Sequence, residues 1–204
     1  MKAWQALLGS IIFVFVVQMA APGFTELFYF DDPISKPWVF ITSCFLHGDI
    51  THLFFNGFAL LMFGPYLERE IGLKNFLVLF FVAAIAGNIT YFMTILFGII
   101  PPIPALGASG GIFGILGALA VLKPNMRIFL FFIPMSIRSA AVVWFVLELL
   151  GSFNVGSGIA SAAHLGGLVL GLLYGKYYRK KDNEAVLFPP PPSEFSYNDK
   201  QDYI

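Results

Sequence analysis

Residues 101–124 read PPIPALGASGGIFGILGALAVLKP, and this stretch decides what kind of fold the chain can have. Pro101, Pro102 and Pro104 block a helix ahead of it, and Lys123 with Pro124 ends one behind it, because proline has no amide for the helical ladder. Between them, residues 109–122 carry no charge, and Gly110, Gly114 and Gly117 recur along them. A helix that is apolar all round has no face to turn to water, so it belongs in a large core or in lipid. Small residues at this spacing let helix backbones approach closely in a membrane.

The remainder of the chain decides for lipid. Of 204 residues 58% are hydrophobic, about 118 positions, with Phe alone contributing 24, against only 12 Lys+Arg and 12 Asp+Glu. Soluble domains run at ~25% charged residues, whereas here the fraction is 12% and the mean hydropathy +0.80. At ~20 residues per membrane-spanning helix, this apolar content makes about six spans and leaves no room for an extramembrane catalytic domain. The formal net charge of zero, with no basic stripe, gives no support for a nucleic-acid partner. A single cysteine, Cys44, excludes an internal disulfide framework and a multi-cysteine zinc site, and reads as packing.

Apolar runs between breakers predict helices over about 4–24, 50–68, 75–98, 109–122, 139–153 and 159–178. Asp49 is placed to cap the second, and Glu68-Arg69-Glu70 to close it. The stretch 126–138, interrupted by Arg127, Pro134 and Arg138, suits a segment lying in the membrane interface. The start could be read as a secretory signal, but Pro22 directly after the candidate cleavage site favours an uncleaved first span. With the N-terminus cytoplasmic, 11 of the 12 Lys and Arg residues fall inside and only Lys36 outside. The expectation is an all-α polytopic membrane protein of six transmembrane helices over residues 1–178, both termini cytoplasmic. Residues 179–204, with Pro189 to Pro192 in a row, read as a disordered or polyproline-like cytoplasmic tail.

Polar side chains inside spans are costly, so they are where chemistry is expected. His52 lies at the outer end of the second span, Ser109 opens the fourth from the same side, and His164 sits about 7 Å into the sixth. Topology thus brings all three to one leaflet. Gly107-Ala108-Ser109-Gly110-Gly111 also satisfies G-x-S-x-G, yet the soluble nucleophile elbow needs a preceding strand, and here prolines precede it. A serine hydroxyl needs a base, and His164, in the small-residue setting Ala162-Ala163-His164-Leu165-Gly166-Gly167, is the candidate at suitable depth. Taken alone, it could equally be a satisfied core histidine. Glu148, the only acid between Ser109 and His164, is read as lying nearer the opposite leaflet and as a structural hydrogen-bonding group, which leaves a two-residue dyad. His52 and Asn56, four apart, share a helix face and with the Ser109 N–H would form an oxyanion site. Taken alone, they read rather as a helix-terminal polar cluster capping the second span. A zinc site on His47, His52 and His164 lacks H-E-x-x-H spacing and any acid placed as base.

With these residues in place, the chain resembles the rhomboid family of intramembrane serine proteases. The resemblance rests on Gly107-x-Ser109-Gly110, on His47-x4-His52-x3-Asn56 and on Ala163-His164-x2-Gly167-x3-Gly171, in the family's order. Gly64-x3-Glu68-x3-Gly72 also looks like a structural motif of that family. The resemblance implies a six-helix core, Ser109 as nucleophile, His164 as general base and then acid, and His52, Asn56 and the Ser109 amide around the oxyanion. It implies that His47, Gly107, Gly110, Phe113 and Gly167 shape the site, Phe113 packing on the His164 ring. Expected substrates are membrane proteins with a transmembrane helix that unwinds readily, cut without metal or other cofactor in a cell membrane of prokaryotic type. In one respect the chain departs: the family's first loop often carries Trp-Arg, and here Trp38 is followed by Val39. Two rivals differ in class, a catalytically inactive rhomboid-like chaperone or adaptor and a small transporter. The uncharged stretch from Phe153 to Gly158 is a candidate gate.

Overall fold

A computed structural model of the chain describes residues 2–130, 132–152 and 160–187. In order, these form α1 (Ala3–Ala20), α2 (Phe24–Phe28), α3 (Val39–Thr42), a 3-10 turn (Ser43–Phe45), α4 (Ile50–Leu96), α5 (Ser109–Leu122), β1 (Arg127–Leu130), β2 (Ile133–Ser136), α6 (Ile137–Gly151) and α7 (Ser161–Leu187). The chain is therefore mostly helical. The predicted second and third helices are joined as α4, which continues through Glu68-Arg69-Glu70 and breaks at Gly72, where φ is 79° and ψ 162°. Charges that face water or find partners, as Glu70 does in Lys123 at 2.7 Å, are tolerated on a helix, whereas a positive φ suits only a residue without a Cβ. Counting the two limbs of α4 separately, six long helical rods follow the six predicted runs. By length and apolarity, α1 and α4 suffice to cross a membrane, while α5 is apolar but shorter.

The glycine spacing determines how the rods pack. α5 is the core rod, with nearly all of its residues from Gly110 to Val121 buried against α4 and α7. A Cβ on Gly167 would collide with the Gly110 carbonyl, and one on Gly171 with that of Gly114. α5 and α7 thus meet backbone to backbone, a contact only glycine permits. On the other side, the Glu68 oxygens accept from the Ala3 and Trp4 N–H groups at 3.0 Å each, satisfying two donors that the first turn of α1 would otherwise leave open. A Cβ on Gly64 would stand 2.7 Å from that of Trp4. Within Gly64-x3-Glu68-x3-Gly72, then, the first glycine admits α1, the glutamate caps it and the second glycine ends the limb.

The loop between α1 and α4 is anchored over the bundle. Phe30 pairs with Ala105 as an isolated bridge, the Asn88 amide donates to Phe40 O at 2.9 Å and Ser43 Oγ at 3.0 Å, and Trp38 Nε1 donates to Leu27 O at 3.0 Å. Val39, where the family often has arginine, is fully buried in a cluster with Phe30, Tyr91 and Ala105. Apolar burial holds the loop at this position. Cys44 is buried in the main core, and burial pushes its thiol up to about 12.

Residues 127–130 and 133–136 pair as antiparallel strands, from Arg127 opposite Ser136 to Leu130 opposite Ile133, with Phe129 and Phe132 exposed. α7 continues to Leu187, past the Arg179-Lys180-Lys181 run at which the sequence reading starts the tail. Lys, Arg, Glu and Ala are good helix formers, so the helix outlasts its apolar stretch. The candidate gate at Phe153 to Gly158 and the Pro189 to Pro192 run lie outside the described residues.

Candidate active site

Ser109 is the first residue of α5. The chain reaches it through Gly107, whose φ of 131° excludes most side chains and whose N–H bonds Ser43 O at 2.9 Å. At a helix start, the Ser109 N–H is among the donors that have no partner within the helix. His164 lies in the first turn of α7, and the backbone contact of α5 with α7 brings its Nε2 to 2.7 Å from Ser109 Oγ. Phe113, one turn beyond Ser109, stacks on the His164 ring at 4.5 Å between centroids and 8° between planes. Trp144 of α6 meets Phe113 edge-on at 6.3 Å between centroids. One face of the imidazole is thus set by an aromatic and its edge by the hydroxyl.

Asp49 caps α4 as its sequence position predicts, accepting from the His52 N–H at 2.8 Å. The Gly48 N–H approaches His52 Nδ1 at 3.5 Å, which favours the tautomer with its proton on Nε2. That nitrogen faces Gly107, where a Cβ would lie only 2.8 Å away. Asn56, one turn on, is 6% exposed, and its Nδ2 has no hydrogen-bond partner among the described residues. A buried donor left open is costly. His52, Asn56, Tyr91, Ser109, Trp144 and His164 line one cavity of about 700 Å³.

His47 lies one layer back. Its ring packs edge-on against His52 at 5.1 Å, and Gln18 of α1 brackets its backbone, donating to His47 O at 3.2 Å and accepting from His47 N at 3.0 Å. Burial, and then the proximity of His52, lower its pKa to about 4, so the ring is neutral near pH 7. It supports His52 and does not line the cavity. Among the described residues, no three His, Cys, Asp or Glu side chains are grouped to hold a metal ion.

Glu148 requires a correction. Instead of lying toward the opposite leaflet, its Oε1 is 3.0 Å from His164 Nδ1, the two side chains being 15% and 13% exposed. α6 ends at Gly151, so Glu148 is within a turn of the same end of the bundle at which α7 begins. The signal was present in the sequence: a fifth run ending near residue 153 exits on the side where the sixth enters. The carboxylate lies off the ring N–H axis, so Nδ1 has no well-aligned hydrogen bond. Ser161 also hydrogen-bonds the Glu148 carboxyl.

A hydroxyl bonded to an imidazole, beside a helix-start N–H and open side-chain donors in one cavity, has the parts that acyl transfer requires. Comparison with known proteins points the same way. Residues 35–181 match a family model described as Rhomboid domain. Rhomboid protein 1, mitochondrial, of Saccharomyces cerevisiae is 35% identical over 158 residues, covering 73% of this chain and 44% of that protein. Rhomboid protease GluP of Bacillus subtilis is 38% identical over 135 residues, 66% of this chain and 24% of that protein. Rhomboid-like protease 1 of Toxoplasma gondii is 31% identical over 161 residues, 75% of this chain and 51% of that protein. The chain therefore spans about half or less of the length of these relatives.

Proposed function

The chain belongs to the rhomboid family, and on that premise we propose that it is an intramembrane serine endopeptidase that cleaves transmembrane-helix substrates. The observation that carries the proposal is the 2.7 Å approach of His164 Nε2 to Ser109 Oγ, made by two helices whose glycines let their backbones meet directly. A base within hydrogen-bond reach of a hydroxyl is the first geometric requirement for an activated nucleophile.

In the proposed reaction, Ser109 Oγ attacks the scissile carbonyl carbon while His164 Nε2 takes the hydroxyl proton. The oxyanion is held by the Ser109 N–H, by His52 Nε2–H and by the open Asn56 Nδ2, donors each typically worth ~10²–10³ in rate. Collapse of the tetrahedral species breaks the C–N bond, and His164 returns the proton to the departing amine. Water then attacks the acyl ester, losing a proton to His164, and Ser109 is released.

As a member of this family the protein is an integral membrane protein. We assign all six rods to the membrane, with both termini cytoplasmic, on the distribution of lysine and arginine. The mouth of the cavity then faces the outer leaflet, where an entering substrate helix would have to unwind to present its carbonyl. The relatives include a protein named mitochondrial in Saccharomyces cerevisiae beside one of Bacillus subtilis, so the family occupies more than one kind of membrane.

The test is incubation of detergent-purified protein with a reporter transmembrane substrate, followed by mass analysis of the fragments. Cleavage in or beside the helix by the wild type, lost in Ser109→Ala and in His164→Ala, is expected. Substrate association without cleavage, and without labelling of Ser109 by a fluorophosphonate, would instead identify an inactive helix-binding adaptor.

A further inference from the structure

A serine can hand its proton to His164 Nε2 only if that nitrogen carries a lone pair, which in a neutral imidazole requires the proton to sit on Nδ1. The tautomer is chosen by whatever Nδ1 meets. Among the described residues the polar group that Nδ1 meets is Glu148 Oε1, at 3.0 Å but off the N–H axis, and this nitrogen has no aligned hydrogen-bond partner. We propose that Glu148 is the positioning residue of the site, holding His164 in its Nδ1–H tautomer and stabilising the imidazolium that forms when Ser109 gives up its proton. The proposal rests on the protease reading above and extends its dyad to three residues, each from a different helix.

The geometry fits this role. Both side chains are mostly out of water, where a carboxylate needs a partner and its attraction to a developing cation is strongest. Phe113 fixes the ring plane, Ser109 fixes one nitrogen, and the carboxylate is the remaining constraint on the other. Ser161 occupies part of the carboxyl group's hydrogen-bonding capacity and steadies it on the α7 side. The off-axis approach suits a resting site, because catalytic hydrogen bonds are commonly misaligned before substrate arrives. Glu148 touches neither Ser109 nor the place where a scissile carbonyl would sit, so it acts through His164.

The alternative role is a tie between α6 and α7. Its buried residues, Ile137, Ala140 and Ala141, all lie near the start of α6, so the far end could use such a tie. Glutamine separates the two roles. Its amide keeps the size and hydrogen bonds of a tie, but it brings no charge, and its NH₂ can donate to Nδ1 and so place the proton on the wrong nitrogen.

The experiment compares wild type, Glu148→Gln, Glu148→Asp and Glu148→Ala for kcat and KM on the reporter substrate, for thermal stability, and for the His164 tautomer. The tautomer is read by ¹⁵N NMR of histidine-labelled protein, with only three histidines to assign and His164→Ala as the assignment control. Expected are a kcat loss on the order of 10²- to 10⁴-fold in Glu148→Gln, KM within about twofold, loss of the Nδ1–H tautomer, and partial recovery in Glu148→Asp. A Glu148→Gln protein with wild-type kcat and an unchanged tautomer overturns the proposal and leaves the tie. If the wild type neither cleaves nor labels at Ser109, the protease reading itself fails. The NMR arm still decides whether Glu148 sets the tautomer.

Discussion

Replacing Gly167 with alanine should part Ser109 from His164, because one backbone contact between α5 and α7 sets the distance between them. A Cβ at Gly167 would stand 2.9 Å from the Gly110 carbonyl carbon and 3.3 Å from its Cα, and nearer still to the carbonyl oxygen, whereas ordinary contact is 3.4–4 Å. The obstacle is backbone and cannot rotate away. α5 and α7 must therefore part by on the order of 1 Å, enough to cost ~10²-fold in a positioned reaction. The Nε2 to Oγ distance, 2.7 Å in the native site, would pass the limit of a hydrogen bond. Overpacking of this kind also costs ~1–3 kcal/mol of stability. The assay measures fluorophosphonate labelling of Ser109, reporter cleavage and thermal unfolding in bilayer nanodiscs. Gly9→Ala serves as control, since a Cβ there meets nothing within 4 Å. Gly171→Ala, one turn farther from His164, should lose similar stability but less rate. Wild-type labelling and cleavage in Gly167→Ala would refute the reasoning.

Three further outcomes are expected. Asn56→Ala should lower kcat on the order of 10²-fold with KM nearly unchanged; an effect confined to KM would remove Asn56 from the oxyanion site. Glu68→Ala should free the Ala3 and Trp4 amides and lower stability by ~1–3 kcal/mol, seen as faster proteolysis within α1; equal protection would show the cap to be dispensable. His47 has a folded pKa of about 4 against an ordinary 6.5, so between those values the unfolded chain binds more protons and stability rises with pH. Its contribution is intact above pH 6.5 and lost as pH falls toward 4, on the order of 2–3 kcal/mol over that range, and a melting curve of His47→Gln that keeps the wild-type slope over this window would exclude it.

Much of the site is legible in the sequence because helix starts fix depth. Asp49 announces the first turn of α4 and so the heights of His52 and Asn56, and the prolines before Ser109 place it at the start of α5. Phe113 follows Ser109 by one turn and stacks where the motif puts it. Other features depend on local conformations that residue type signals weakly. The charges of Glu68-Arg69-Glu70 look like an end, but the chain turns only where Gly72 reaches a positive φ. The strand pair of residues 127–130 and 133–136 has Phe132 at φ 66° just before its second strand, an unusual choice that no standard turn signature announces.

The pairing of α5 with α7 was also encoded, in a register that repeats. Gly110 meets Gly167, Gly114 meets Gly171, and Ala118 meets Gly175, each pair 57 positions apart. A constant offset means two parallel helices in fixed register, and small residues every four positions on both make one face of each fit the other. Ser109 is one residue before the first pair on α5 and His164 three before it on α7, so once the small-residue rows mesh the hydroxyl and imidazole have little choice but to meet. α6 carries no comparable row. Its buried residues are few and near one end, so neither its rotation nor the reach of Glu148 follows from a pattern of small side chains. Depth alone would have placed the carboxylate at the correct end of the bundle, and only the packed structure shows it at His164.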